Sequence, residues 1–545
     1  MNHTELGHVG SAVYFYHTFR FDVFHVNPPL TRYIVSGCLN IVETEQGKKY
    51  KSPDTGKRYE WQIGNSFINA NTPQLIHLYL FFARCSFIPI ILLGSYFGYQ
   101  LAVELYGQVS GIIFLLLWIF SPLVLSWGAT LCPDVCAASL GIIGIYTFWH
   151  WLQTPTWRKT IIAGICLGLL PLTKLTWIIA LPLWIIIWAI WTLPYYFFKV
   201  KPNIPRIIPS WKQLIMIIFI SIYLINMGYL FDGSFQLLKD YKFISQTLTG
   251  LNISDKIQTV KTGNRFTNSW LGYICIPLPS EFVQGIDTQK FDFERGIESY
   301  WRGEYSKHGW YHYYAYIILI KEPLGTLLLG ISAILVTCFL PKYNNWQNEI
   351  VIFLPCVVLF IFVSSQTGFS LHPRYIIPAL PFAYIGISKL GQSFAKRQKT
   401  LSAIMIGLLI WMLWSSLYCF PHSMSYFNEL IGGFQNAPKH LLGSNIDWGQ
   451  NSYFLQKWYN KHQEARPIKI AYSSIESLDR LGIKNNQQPL ENPESGWFMI
   501  GVNELYSSSK RYEYFKQFEP VDRIGYSIYI YHLTYEEINR LCPKK

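Results

Sequence analysis

The sequence is short of charge. Only 14% of its 545 residues are Asp, Glu, Lys or Arg, while 51% are hydrophobic. A soluble chain carries roughly 25% charged residues, so an ordinary water-soluble fold is excluded and lipid is the expected solvent for much of the surface. A cysteine framework is missing too. Most of the ten Cys lie in apolar stretches at irregular spacing, which matches neither a disulfide scaffold nor a zinc site. Cys132 and Cys136 stand four apart at a helix start without a further ligand cluster, and read as small packing residues. No internal repeat is visible. What the chain has in excess is aromatic, at 17% with 20 Trp and 37 Tyr, and basic, with a net charge of +13. Amphipathic rings suit the headgroup boundary, and basic loops suit a cytoplasmic membrane face and anionic lipids. Membrane lipids, not nucleic acid, are therefore the expected partners of the positive charge.

A spanning helix needs roughly 20 predominantly apolar residues. Such segments fall at about 76–104, 109–128, 133–152, 160–173, 175–197, 213–231, 311–339, 350–367, 375–392 and 400–420. The fold class this predicts is an α-helical polytopic membrane protein of about ten transmembrane helices. Three basic connections, Thr154–Lys159, Lys199–Gln213 and Gly391–Thr400, fall on one side of a ten-span layout. They carry Arg158 and Lys159; Lys199, Lys201, Arg206 and Lys212; and Lys396, Arg397 and Lys399. Placing them inside puts residues 1–75, the long loop 232–310 and the tail 421–545 outside. Residues 1–75 read as a first outer loop. Met1–Glu5 is polar and loop-like, unlike a signal peptide, and residues 1–45 carry surface-lying amphipathic helices, since Ala12, Val13, Phe15, Tyr16 and Phe19 recur at helical spacing. The transmembrane part is 76–420. From Pro421 the chain turns polar, with short alternating runs at Ile468–Tyr472, Trp497–Val502 and Ser527–Tyr531 and a helix at Tyr453–Tyr459. These predict a small extracytoplasmic α/β domain over 421–545.

Ionisable residues gather at the outer ends of the spans. Glu5 and His8 stand about one turn apart, and Arg84 lies inside the first apolar stretch. Asp134 opens the third span, Lys174 sits in the tight turn LPLTKLT, and Lys321 follows the aromatic run HGWYHYYAYIILIK. His372 and Arg374 precede an inward-running helix in FSLHPRYIIPALP. A charge in a membrane span costs at least about 2–3 kcal/mol and is by default a functional candidate with a partner. Each has a plainer reading. Arg84 could pair with a neighbouring helix, Lys174 and Arg374 could snorkel to headgroups, Asp134 could complement a helix dipole, and Glu322 could neutralise Lys321. Taken together, cations near one membrane surface can hold a lipid-linked phosphate, Arg as a fork and Lys as a point charge. A carboxylate beside them can take the proton of an acceptor hydroxyl.

Several segments resemble a known family. TELGHVGSAVYFYHTFRFDVFHVNPPL, ARCSFIPIILLGSYFGYQLAVELYG, WIFSPLVLSWGATLCPDV, LLPLTKLTWIIALP, GWYHYYAYIILIKEPLGTLLLG, HPRYIIPALPFAYIGISKL and YFNELIGGFQNAPKHLLGSNIDWGQ are together similar, in order and spacing, to glycosyltransferase family 39. That is the dolichyl-phosphate-mannose–protein mannosyltransferase group, taken with relatives of the lipid A aminoarabinose transferase. The resemblance implies a GT-C membrane fold and inverting transfer of a monosaccharide from a polyprenyl-phosphate donor to a protein or lipid/glycan acceptor. The site would lie on the outer face of a bacterial cytoplasmic membrane. It aligns Glu5 with the second member of the family's Asp–Glu pair, Arg84 with a donor-phosphate arginine, and Arg374 with an Arg–Tyr pair before a late helix. The first carboxylate of that pair is here Thr4, which cannot accept a proton near neutral pH. Glu5 is then the candidate base, with Asp22 as the nearest alternative. His8 and Asp134 would be helpers for acceptor or metal, and Arg84, Lys174 and Arg374 would hold the donor phosphate. Lys321 and His372 are weaker candidates. A divalent metal is compatible with the family, but no ligand spacing argues for one. The family's first helix would precede Met1. The rival readings are a relative that binds lipid-linked sugar without catalysis, favoured by Thr4, and a transporter or flippase, which lacks the expected repeat.

Overall fold

The computed structural model of the chain describes residues 2–40, 59–197, 208–251, 261–340, 346–483 and 487–541. Among these, six helices are long and apolar enough to cross a membrane: Pro73–Tyr106, Asp134–Gln153, Leu175–Leu193, Trp211–Gly228, Trp346–Ser365 and Lys399–Cys419. Two bent helix pairs raise the number to eight if each is one span. These correspond to eight of the ten apolar segments. The other two are helical but shorter or broken. Trp157–Thr173 has 17 residues, and the segment near 375–392 is a 3-10 helix Pro373–Ala379 followed by Leu380–Ser388. Leu92, Phe219, Ile334 and Ile410 are each more than half exposed, as residues facing lipid would be.

The segments read as 109–128 and 311–339 are each bent within the apolar run. Gln108–Ile119 meets Pro122–Gly128 at 59°, and Tyr313–Lys321 meets Leu324–Phe339 at 113°. Proline drives the preceding residue out of the helical region. Accordingly Ser121 stands at φ −64°, ψ 124° and Glu322 at φ −86°, ψ 142°.

The two ends of the bundle differ in charge. The helix Asp134–Gln153 has 20 residues, about 30 Å at 1.5 Å per residue. At its far end Trp149 donates to Asn348 (3.1 Å) beside Glu349, which pairs with buried Lys389 shortly before Lys396. Helices Trp157–Thr173 and Trp211–Gly228 run side by side in the same direction, Gly164 meeting Ile220 and Gly168 meeting Leu224. Lys212 therefore shares an end with Arg158 and Lys159. Lys199, Lys201 and Arg206 lie outside the described residues. Asp134, Lys174 and Arg374 stand at the opposite end.

The N-terminal segment departs from expectation. Helix starts already at His3, where Asn2 and Glu5 form a reciprocal capping box. The helix His3–Thr18 does not lie on the surface; it is buried continuously from Thr4 to Phe15. Its small residues explain this. A Cβ on Gly10 would stand 2.1 Å from the Glu60 carbonyl oxygen, and one on Gly64 would stand 2.3 Å from that of Leu6. The helix and its neighbour Glu60–Ala70 thus touch backbone to backbone, covering faces that an amphipathic pattern would have left to lipid.

Six short strands are described. β1 (Ser299–Trp301) and β2 (Glu304–Ser306) form a hairpin in the long loop. β3 (Ile468–Ala471), β4 (Gly496–Gly501), β5 (Asp522–Ile524) and β6 (Ile528–Leu533) form a sheet of order β3-β4-β6-β5, parallel between β3 and β4 and antiparallel elsewhere. Ile470, Met499 and Ile530 are in register and pack on Leu455 of the helix Ser452–Lys461. The opposite face carries Phe498, Ile500 and Tyr531 into the main core. Three runs of alternating residues therefore do form strands, and the sheet is buried on both faces.

Candidate active site

Three chain breaks bring one carboxylate and two cations together. Asp134 is the first residue of its helix, after Pro133. Lys174 ends the helix Trp157–Thr173 in extended conformation. Arg374 opens the 3-10 helix Pro373–Ala379. The Lys174 ammonium donates to Asp134 Oδ1, and Arg374 Nη1 lies 3.5 Å from Asp134 Oδ2. Asp134 is 1% exposed. The Lys174 ammonium and Arg374 guanidinium lie 4.9 and 5.2 Å from the Tyr375 ring centre, which supplies cation–π contact. Within this triad two cations face one carboxylate, and Arg374 Nε has no hydrogen-bond acceptor among the described residues.

This cluster borders a cavity of about 320 Å³ whose other walls include Thr4, His372, Gln289, Asp292, Phe293 and Trp448. Gln289, Asp292 and Phe293 come from one face of the helix Ser280–Arg295, at i, i+3 and i+4. The helix end is pressed against the segment leading to Arg374: a Cβ on Gly368 would stand 1.9 Å from the Phe293 carbonyl oxygen, and the Ile297 N–H donates to Gly368 O at 2.8 Å. His372 Nδ1 meets Ser444 Oγ at 2.8 Å. Burial, then the charges of Arg374 and Lys174, push its imidazole well below the ordinary histidine range, so it is neutral at neutral pH. Gln289, Phe293 and Tyr375 also line a second cavity of about 360 Å³ with largely apolar walls, among them Leu175, Ile178, Leu248, Ile286 and Phe362. The polar chamber that holds Lys174 and Arg374 is thus contiguous with an apolar groove.

The structure places the other sequence candidates elsewhere. Glu5 is fully buried and does not line the chamber. Its Oε1 accepts from Arg84 Nε (2.8 Å) and Leu131 N (3.1 Å), and its Oε2 from Arg84 Nη2 (2.7 Å) and Asn2 N (2.8 Å). Burial would raise its pKa, but the Arg84 guanidinium more than offsets this and holds the carboxyl at about 2. A carboxylate so saturated and so weakly basic is a poor general base. Arg84, spending its fork on Glu5, is equally unsuited to hold phosphate. The two residues tie the N-terminal helix to the first span. His8 is buried against Phe24 (5.1 Å between ring centres), outside the chamber, and burial followed by the charge of Arg374 lowers its pKa to about 3. Asp22 accepts from Tyr14 (3.0 Å) and pairs with Arg20. Lys321 donates to Met424 O (2.8 Å) and to Asn445 O, anchoring the 113° bend instead of entering the chamber. Among the described residues no group of three or more His, Cys, Asp or Glu is placed to hold a metal ion.

Sequence reasoning missed Gln289, Asp292 and Trp448. The first two carried a signal, since polar residues one turn apart on the same helix face as Phe293 mark a face turned to something other than solvent. Trp448 had none beyond its place in SNIDWGQ.

No protein-family model matches the chain, and no curated protein matches it. Solved structures do resemble it. It is similar to ArnT from Cupriavidus metallidurans bound to undecaprenyl phosphate, at 10% identity over 97% of this chain and 93% of that one, with a TM-score of 0.45. It is also similar to the Archaeoglobus fulgidus oligosaccharyltransferase in complex with zinc and sulfate, at 11% identity over 94% of this chain and 66% of that one, TM-score 0.41. A third is AglB from Archaeoglobus fulgidus in complex with an inhibitory peptide and a dolichol-phosphate, at 11% identity, 92% and 66% coverage and a TM-score of 0.40. At these scores none assigns an activity to this chain, and the functional reading rests on its own side chains.

Proposed function

We propose that the chain is a membrane glycosyltransferase that moves a monosaccharide from a polyprenyl-phosphate donor to an acceptor hydroxyl. The observation that carries this is the continuity of a chamber lined by the buried cations Lys174 and Arg374 with an apolar groove through Gln289, Phe293 and Tyr375. A lipid phosphate needs both: a buried site of positive charge for its head and an apolar channel for its tail. The family resemblance of the sequence supports the same donor class. In this reading Lys174 and Arg374 hold the phosphate and Asp134 sets their positions. The acceptor oxygen attacks the anomeric carbon from the face opposite the phosphate. The sugar–phosphate C–O bond breaks with its electron pair going to the phosphate, whose growing charge the two cations stabilise. The configuration inverts.

The base is then Asp292. Glu5 does not line the chamber and Asp134 positions the two cations, and Asp292 is the further carboxylate in the chamber lining, one turn from Gln289 on the same helix face. Thr4 lines the chamber as an acceptor, taking a hydrogen bond from Trp448 Nε1 at 3.0 Å. The basic connections at the far end of the bundle support a reading in which that end lies inside the cell and the chamber outside, in the cytoplasmic membrane of a bacterium.

Binding of polyprenyl phosphate to the protein in nanodiscs tests the donor assignment. Hydrogen bonds to charged groups contribute roughly 1.5–3 kcal/mol, so Arg374→Ala should weaken binding about 10- to 100-fold, and Arg374→Lys less because charge remains. Unchanged affinity in a folded Arg374→Ala protein would remove the proposal.

A further inference from the structure

A third cavity, of about 300 Å³, shares only Trp448 and Leu371 with the polar chamber. Trp448 is fixed as a partition between them. Its indole N–H is bound to Thr4, and its ring stands edge-on to His372 (5.0 Å) on one side and to His3 (5.4 Å) on the other. The walls of this cavity come from the β1–β2 hairpin, the Asp447 turn and the ends of β3 and β4. It therefore belongs with the polar sheet and not with the apolar groove.

Two features of its lining select a ligand. The hydroxyls of Tyr300 and Tyr472 are committed to Pro438 O (2.8 Å) and Asp447 Oδ1 (3.0 Å), and that of Tyr305 to Tyr506 O. The rings remain as apolar surfaces inside an otherwise polar site. The charged lining residues are Glu298, Asp447 and Glu504, with no Lys or Arg among them. Asp447 is filled by four donors, from Gly449, Tyr472, Asn451 and Ser527, so it contributes negative potential while Glu504 stays open to a ligand. Aromatic faces beside carboxylate acceptors suit the C–H faces and hydroxyls of a sugar, and the uniform negative sign opposes an anionic one.

We propose that this cavity binds the acceptor, that the acceptor is a glycan, and that its bound unit is neutral or amine-bearing. The inference rests on the glycosyltransferase reading for the word acceptor, but not for glycan binding itself. In it, the sugar docks against Tyr300, Tyr305 and Tyr472 with a hydroxyl directed past Trp448 toward the chamber.

The test is saturation-transfer NMR on the full chain in nanodiscs with three probes: triacetylchitotriose (neutral), chitotriose (cationic) and sialyllactose (anionic). Polyprenyl phosphate binding is measured in parallel. Triacetylchitotriose and chitotriose should bind at least about tenfold more tightly than sialyllactose, the scale of one unfavourable charge contact. Glu504→Lys should reverse the order of chitotriose and sialyllactose while leaving polyprenyl phosphate binding unchanged. This reversal is a gain that misfolding cannot imitate. Equal or preferred binding of sialyllactose by the wild type would overturn the proposal, as would unchanged preference in Glu504→Lys. If no glycan binds but polyprenyl phosphate does, this inference fails and the donor reading stands. If glycans bind in the expected order and polyprenyl phosphate does not, the donor reading fails and the cavity remains a glycan site.

Discussion

Glu5→Gln separates a structural ion pair from a catalytic base. In the wild type both Glu5 oxygens accept two donors each, and the residue is wholly buried. The glutamine keeps the shape but loses the charge opposite Arg84, and it turns an N–H2 group toward backbone donors. Breaking one partner of a buried pair costs about 3–5 kcal/mol. The Arg84 side chain is 36% exposed, so water recovers part of that, leaving about 2–3 kcal/mol. The protein should melt at lower temperature, with unchanged turnover per folded molecule. The sign of the pH dependence follows from the depressed carboxyl, which Arg84 holds at about 2 despite burial, against the ordinary 4.5. A group lowered by folding contributes stability that is complete above pH 4.5 and is lost as pH falls toward 2. The shift amounts to about 3 kcal/mol. The gap in melting temperature between wild type and variant should therefore be widest at neutral pH and close between pH 4.5 and about 2. Thermal melting from pH 7 downward, with transfer from a radiolabelled polyprenyl-phosphate sugar normalised to folded protein, reads both. A loss of turnover of roughly 100- to 10,000-fold, the worth of a general base, at unchanged melting temperature would refute the structural role and return Glu5 to the reaction.

Three further outcomes follow. Asp292→Asn should lower turnover about 100- to 10,000-fold with polyprenyl phosphate affinity intact; full turnover would remove Asp292 as the base. Gly64→Ala puts a Cβ 2.3 Å from the Leu6 carbonyl oxygen and should destabilise by about 1–3 kcal/mol, read as a lower melting temperature, whereas Gly37→Ala, with no atom within 4 Å of its Cβ, should not. Reporter fusions at Lys396 and at the C-terminus should score on opposite sides of the membrane, and the same side for both would reverse the orientation argument.

Much of the helical layout is legible in sequence because the membrane imposes a length and a composition on each span. The strands of the tail were legible for a similar local reason, since alternation over five or six residues has one economical outcome. The bends at Pro122 and Pro323 were visible as prolines but not as angles, because hydropathy does not register direction. The burial of the N-terminal helix was not legible because Gly10 and Gly64 read as neutral spacing, whereas in three dimensions they allow backbone contact between the two helices. In the site, residue types at the outer ends were legible from the cost of charge in lipid. Their pairing was not: Arg84 and Asp134 carry the same kind of local signal, yet one ties a helix down and the other orders two cations. Asp292 escaped notice because its helix Ser280–Arg295 lies in a polar stretch between spans, where one more carboxylate draws little notice, and only folding brings it against the chamber.

Charge balance explains why such a chamber tolerates its own construction. Asp134 offers one negative charge to Lys174 and Arg374, and all three are within 9% of full burial. A lone cation there would be costly, and pairing each cation bidentately with its own carboxylate would leave no donor for an anion. With one carboxylate shared, each cation keeps a partner and the triad carries a net charge of one, which Asp292 in the same lining offsets across the chamber as a whole. Glu5 and Arg84 illustrate the alternative outcome. There the pairing is one to one and bidentate, no charge is left over, and the pair holds structure. The number of cations per carboxylate, more than the mere presence of arginine near the membrane surface, distinguishes the binding cluster from the tie.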